Sequence, residues 1–310
     1  MKVVGIDIAK YHFDLHLLPD GKAARYPNDS EGIPQCRQFL AQVQPERIVL
    51  EATGGYELAL TLELQTAGLP VIVVNPRRVR DYARSQNLIA KTDQIDARAI
   101  AEFATSPRVQ VRELPDPQTR QRMALTARKG QLVEMHVAER NRLEHAVNRI
   151  VTQSLRQVLR AIEKQIAALD KQIAKLIAAD PQLQRKAEIL DSTPGFAEAT
   201  AALLVTQLPE LGRVNRHQIA TLVGVAPMNR DSGQFRGKRM TGGGRVRVRS
   251  ALYMPMLAVI RCNPVIRRFY QRLLDNGKAK MTAWVAAMQK LLTILNTMIK
   301  NNQLWNPNIT

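Results

Sequence analysis

Met1-Lys2-Val3-Val4-Gly5-Ile6-Asp7 and, just beyond it, Tyr11-His12-Phe13-Asp14-Leu15-His16-Leu17-Leu18 decide the fold of this chain. Val3–Ile8 is a continuous apolar run, the pattern of a buried strand, with a carboxylate at its exit. Tyr11–Leu18 alternates Phe13, Leu15 and Leu17 against His12, Asp14 and His16, so it should pair with the first strand as a hairpin, with Lys22–Tyr26 as a third, edge strand. Ser30 is placed to cap a helix whose apolar face is Ile33, Phe39, Leu40 and Val43. Ile48–Leu50 and Val71–Val74 read as short buried strands around a helix starting near Tyr56.

An antiparallel hairpin sheet followed by strand–helix–strand is the ribonuclease H-like order rather than a Rossmann order. The expected class is α/β plus α, with an α/β domain over 1–110, helices over 111–182 and a mainly helical segment over 183–310. Pro107, Pro115 and Pro117 mark the first boundary. No Gly or Pro occurs between Gln131 and Asp180, and Leu155, Leu159, Ile162, Ile166, Leu169, Ile173 and Leu176 step as an a/d seam, with Lys164, Lys171 and Lys175 outside it. Leu143, Val147 and Ile150 suggest that the seam begins earlier. A folded-back helix pair and a self-associating coiled coil satisfy this pattern equally. Beyond Pro181, Leu190-Asp191-Ser192-Thr193-Pro194-Gly195-Phe196-Ala197-Glu198 resembles a helix-hairpin-helix, in which backbone N–H groups hold a nucleic-acid phosphate.

The charge points to a polyanionic partner. Lys plus Arg number 45 against 27 acids, a formal net charge of +18. Residues 1–104 carry 12 basic and 13 acidic side chains, so the excess lies wholly downstream. Between Met228 and Arg272 there are 11 basic residues and a single acid, Asp231, a one-sidedness that suits a phosphate-facing surface. Only Cys36 and Cys262 occur, which argues against a disulfide framework or a zinc site. With no signal-peptide pattern and no apolar run long enough to span a bilayer, the expectation is a soluble, cytoplasmic, nucleoid-associated protein.

Four acids stand out. Asp7 and Glu51 end buried strands, and Asp93 and Asp96 share one face of a helix at i, i+3. A carboxylate at a strand exit is costly without a positive partner, and several converging acids form a hard-cation site suited to Mg²⁺ and phosphodiester chemistry. Taken singly, each acid has a plainer explanation, such as helix N-terminal charge, but Thr92 is already an adequate cap, so Asp93 and Asp96 are more than capping requires. Thr53-Gly54-Gly55 offers a phosphate-cradling turn, and Gly5-Ile6-Asp7 is shared with actin-like ATPases. The second phosphate loop those enzymes need is missing. Downstream, Gly233 frees the backbone beside Ser232, and Arg230, Arg236, Lys238 and Arg239 surround it. Thr241-Gly242-Gly243-Gly244 then leads into a helix bearing Arg245, Arg247 and Arg249, an arrangement that suits docking on a nucleic-acid backbone. On local sequence alone Ser232 is a turn serine before it is a nucleophile, because a hydroxyl needs activation.

The Gly-Ile-Asp start, Glu-Ala-Thr-Gly-Gly-Tyr, Lys-Thr-Asp-x-x-Asp-Ala-Arg, Pro-Gly-Phe, Gly-x-Ala-Pro…Asp-Ser-Gly and Gly-Gly-Gly-Arg…Leu-Tyr-Met segments, in this order from about residue 2 to 300, resemble one family. It is the DEDD-type transposases of bacterial insertion sequences, bridge-RNA-guided recombinases that also include pilin-gene DNA invertases. The resemblance implies a RuvC-like N-terminal domain, a coiled-coil middle, a C-terminal transposase domain and a tetramer of two dimers. It matches Asp7, Glu51, Asp93 and Asp96 to the family's Mg²⁺-binding acids and Ser232 to its nucleophile, which forms a phosphoserine link to DNA. It also implies a guide RNA that selects donor and target DNA, with acids and serine contributed by different protomers. The alternatives are a RuvC-like nuclease using water as the nucleophile and a non-enzymatic RNA-binding scaffold. Two departures from the family pattern are Pro255, expected to kink or weaken a helix, and Cys262, where His is common.

Overall fold

The computed structural model describes residues 1–87, 93–106, 109, 116–229, 231–233, 235–237 and 239–307, with the backbone only at 93–95 and 235–236. Two compact units result, Met1–Leu114 and Pro115–Thr310.

The first unit contains β1 (Val3–Ile8), β2 (His12–Leu18), β3 (Lys22–Pro27), α1 (Gly32–Val43), β4 (Arg47–Glu51), α2 (Leu58–Thr66), β5 (Val71–Val74), α3 (Pro76–Ser85) and α4 (Asp93–Ala104). Its sheet order is β3-β2-β1-β4-β5. β1 pairs antiparallel with β2, and β2 with β3, as expected of a hairpin with an added edge strand. β1 and β4 are parallel, as are β4 and β5, so α1 and α2 serve as crossovers. Because β1 is covered on both faces it reads as an unbroken apolar run. Val4, Ile6, Ile8, Phe13, Leu15, Leu17, Ile48 and Leu50 form one core with Ile33, Cys36 and Leu40 of α1 and Leu60 and Leu64 of α2. Val3, Val49, Ile72 and Val74 form the second core with Val79 of α3 and Ile100, Phe103 and Ala104 of α4. Each large side chain so buried contributes about 1.5–3 kcal/mol.

The start of α1 differs from the sequence expectation. Asp29, not Ser30, takes the orphan amides: its Oδ1 accepts from Glu31 N at 3.0 Å and Gly32 N at 2.9 Å. An Asp two or three residues ahead of the amides reaches them without strain, so the cap falls one residue earlier.

The second unit opens with α5 (Pro117–Glu144) and α6 (Arg149–Ala178). These pack as a folded-back pair, with Lys129 paired to Asp170 at 2.5 Å and His136 to Glu163 at 3.0 Å, seven residues on along one helix and seven back along the other. Leu159, Ile162 and Ile173 of the heptad seam are buried, and Leu155, Ile166, Leu169 and Leu176 are half-buried. The seam does not extend back as expected. The helix breaks at residues 145–148, leaving Val147 99% and Ile150 79% exposed at the tip. The break needs no Gly or Pro because Asn148 starts α6, accepting from Ile150 N at 2.9 Å and Val151 N at 3.3 Å.

Beyond the pair lie α7 (Pro181–Asp191), α8 (Glu198–Gln207), α9 (Arg216–Val223), β6 (Pro227–Met228), β7 (Asp231–Ser232), β8 (Phe235–Arg236), β9 (Met240–Thr241), α10 (Val246–Tyr253), α11 (Pro255–Cys262), α12 (Pro264–Asp275) and α13 (Lys280–Lys300). Their shared core includes Leu190, Leu204, Ile219, Val223, Leu252, Met256, Ile266, Leu291 and Leu295. Pro255 does separate two helices. It sits at the first position of α11, where a missing N–H removes no bond, so the sequence tolerates it. Cys262 is exposed. Among the described residues, no helix is long and apolar enough to cross a membrane.

Candidate active site

The sheet of the first unit positions two of the four sequence-predicted acids, and the helix packed on it carries the other two. Ile6 is opposite Leu50 in the parallel β1–β4 register, so Asp7 and Glu51 are the next residues of adjacent strands at one sheet edge. Neighbouring strands run about 4.8 Å apart. Side chains alternate along a strand, so Asp7 shares the face of Val3 and Gly5, and Glu51 that of Val49. This is the face covered by α4. Gly5 lets the helix lie against the strand: a Cβ there would stand 2.2 Å from Ala101 N and 2.3 Å from Ala97 O. Ile100 and Ala104 cover Val3 and Val49, so α4 runs away from the acidic edge and its N-terminal turn, with Asp96, comes to the Asp7–Glu51 end. Asp93 begins α4, and its side chain lies outside the described residues, as does Thr92.

Among the described residues, no three His, Cys, Asp or Glu side chains approach closely enough to hold a metal ion. The donor chemistry nevertheless fits a hard divalent cation, since every candidate side chain at this edge is a carboxylate.

A fifth acid, inconspicuous in the sequence, stands beside this edge. Asp14 lies directly opposite Asp7 on β2 and is 5% exposed. Arg25 of β3 neutralises it with a bidentate pair, Nε to Oδ1 at 2.9 Å and Nη2 to Oδ2 at 2.8 Å. Its signal was present as the middle polar member of the His12–Asp14–His16 alternation, a face that reads as solvent unless α4 is known to cover it. Two residues on, His16 is held below its ordinary pKa by burial and by the Arg98 charge, against an opposing effect of Glu102. The Thr53-Gly54-Gly55 turn has an acceptor within the chain for two of its amides. Its Thr53 and Gly55 amides donate to Glu57 Oε2 at 3.0 and 2.9 Å.

In the second unit Ser232 lies near the tip of a two-rung arm. β6 pairs with β9 at its base, and β7 pairs with β8 beyond, with Ser232 opposite Phe235. Gly233 takes φ +55°, which allows the chain to reverse beside the serine. Asp231, Ser232 and Arg239 are exposed. Arg230 and Lys238, and the side chain of Arg236, lie outside the described residues.

Two of the predicted backbone-docking residues are engaged within the fold. Arg245 donates to both Glu210 oxygens at 2.7 and 2.6 Å and to Gln207 O at 2.7 Å. Arg249 Nη1 donates to Gly243 O at 2.8 Å and Gly224 O at 3.2 Å. The glycines are needed for contact: a Cβ on Gly224 would meet Gly243 O at 2.2 Å, and one on Gly244 would meet Gly224 N at 2.4 Å. The Gly-rich segment thus clamps the foot of the arm to the end of α9. Arg247 remains exposed. The Pro-Gly turn before α8 is also packed, since a Cβ on Gly195 would meet Ala258 O at 2.6 Å.

A mixed α/β unit with an acidic sheet edge, joined to a basic helical unit carrying an exposed serine arm, fits an enzyme that breaks and rejoins nucleic acid. Comparison with known proteins makes the class definite. Residues 4–152 match a family model described as transposase, and residues 187–271 match the transposase IS116/IS110/IS902 family. The chain belongs to this family and is a DNA transposase or recombinase. It is 27% identical to the pilin gene-inverting protein of Moraxella bovis over 99% of this chain and 98% of that protein. The Moraxella lacunata protein of the same description is equally similar. A 42 kDa protein of insertion element IS900 from Mycobacterium paratuberculosis is 32% identical over 41% of this chain and 32% of its own length.

Proposed function

We propose that this transposase cuts and exchanges DNA strands through a covalent Ser232–DNA intermediate, with Asp7, Glu51, Asp93 and Asp96 as ligands for Mg²⁺. The observation that carries the reading is topological. Asp7 and Glu51, far apart in sequence, are the next residues of adjacent strands in a sheet whose order supports a RuvC-like domain, Asp96 lies in the first turn of the helix that covers the same face, and Ser232 is on an exposed arm of the other unit. When bound, Mg²⁺ supplies neutralisation of phosphate charge as an in-line displacement develops. The chain's own residues do the rest. The Ser232 Oγ–phosphorus bond forms as a phosphorus–oxygen bond to one sugar breaks. Oγ gives up its proton, and the departing sugar oxygen takes one up. Basic side chains around the arm hold the phosphodiester in place. Rejoining reverses these steps on another strand.

The inversion named for the Moraxella relatives and the transposition named for the family both require this exchange. The proposal extends to a guide RNA that selects donor and target, to a tetramer in which acids and serine come from different protomers, and to action on the nucleoid in the cytoplasm. The experiment is a denaturing gel of end-labelled DNA incubated with protein and Mg²⁺. A protein–DNA adduct is expected that Ser232→Ala abolishes and Ser250→Ala retains. Cleavage by Ser232→Ala without an adduct would instead make water the nucleophile.

A further inference from the structure

The described surface of the second unit holds a cationic cleft that the serine arm does not use. Val265, Arg268, Phe269 and Arg272 recur at helical spacing on one side of α12, and Lys290 faces them from α13. Together they line a cavity of about 390 Å³. Val265 is buried and Phe269 packs on the core, so the row has a fixed apolar floor. The Arg272 guanidinium lies 5.4 Å from the Phe269 ring centre, which limits its freedom. Arg268 Nε donates to Pro264 O at 3.4 Å, turning the rest of its guanidinium outward.

Among the described residues, no Asp or Glu lines the cavity. On the neighbouring surface of α12, Asp275 accepts from Gln271 at 2.8 Å. Three like charges gathered over an apolar floor repel one another, and the helix C-terminus favours only Arg272 among them. An anion in the cleft removes that repulsion and accepts from two guanidinium forks and an ammonium.

We propose that this cleft holds a phosphate of a nucleic-acid strand, at a site separate from the serine arm. The choice of ligand rests on the nucleic-acid reading above and on the basic excess of this unit. The cavity is of the size that takes a nucleotide-sized ligand, and Phe269 with the Arg272 plane offers a neighbouring base a surface to lie on.

The test uses the full chain with Arg268→Gln, Arg272→Gln, Lys290→Gln and the triple variant, each checked for an unchanged thermal transition. Fluorescence anisotropy with labelled oligomers of about 20 nucleotides, as single-stranded RNA, single-stranded DNA and duplex DNA, is measured across a salt series. The triple variant is expected to bind at least one of the three roughly tenfold or more weaker, with the log–log salt slope reduced by about 1 to 2. The form that loses affinity identifies the strand. Equal affinity and slope in wild type and triple variant would overturn the proposal. So would polyglutamate competing as well as the oligonucleotide, which would make the cleft an acidic-peptide site. A wild-type chain that binds none of the three would refute the nucleic-acid reading itself, a distinct outcome.

Discussion

Gly5→Ala should damage the acidic site without touching an acid. The added Cβ would lie 2.2 Å from Ala101 N and 2.3 Å from Ala97 O, both backbone atoms that no rotamer change can move. Relief to an ordinary contact of ~3.5 Å requires α4 to move out by about 1.3 Å. Overpacking of this kind costs about 1–3 kcal/mol. The same displacement carries Asp93 and Asp96 away from Asp7 and Glu51, and a 1 Å misplacement of catalytic groups lowers rates by roughly 10²-fold. Urea unfolding followed by β-sheet signal measures the first effect, and adduct yield on labelled DNA the second. Gly130→Ala is the control: nothing lies within 4 Å of its Cβ, and its α5 position should gain up to about 1 kcal/mol. A Gly5→Ala protein with wild-type midpoint and wild-type adduct yield would refute the close seating of α4. Lost stability with full activity would refute its role in aligning the acids.

Two further outcomes follow from single side chains. The depressed His16 pKa means that, as pH falls, the unfolded chain takes up the proton first, so stability drops below about pH 6.5 and levels off beneath the folded-state value. His16→Asn should flatten the urea midpoint between about pH 7.5 and 5.5, roughly one unit either side of the ordinary imidazole value, and an unchanged slope would exclude His16 as its source. Arg245→Gln should lower stability by about 1–2 kcal/mol, since the pair with Glu210 is bidentate yet about a third exposed. Its salt slope for DNA binding should stay unchanged, whereas a reduced slope at unchanged stability would return Arg245 to the phosphate-facing surface.

Local pattern carried much of the fold. The apolar run of β1, the alternation of β2 and the heptad seam of α6 are direct imprints of burial on one or both faces. The two acids at strand exits were conspicuous because charge next to an apolar run is costly. Asp14 was not, since an alternating polar face looks solvated until a helix from 80 residues downstream covers it. Asp29 and Ser30 both had capping chemistry, and backbone geometry chose between them. Arg245 and Arg249 looked like phosphate ligands because an Arg beside glycines has the same signature whether it faces DNA or a carbonyl. Their partners, Glu210, Gly243 and Gly224, are set by how α9, α8 and the arm meet.

By itself the sequence determined the succession of strands and helices along the chain, the helical pair's seam, the basic excess of the second unit and, through its motif order, the transposase family. These depend on neighbours along the chain or on totals, which need no coordinates. Only the tertiary structure decided that the heptads fold back on themselves, that the glycine-rich turn is a clamp, and that Gly5 sets the height of α4 over β1. Each is a contact between distant segments, and such contacts depend on distances of a few ångströms that no local spacing encodes.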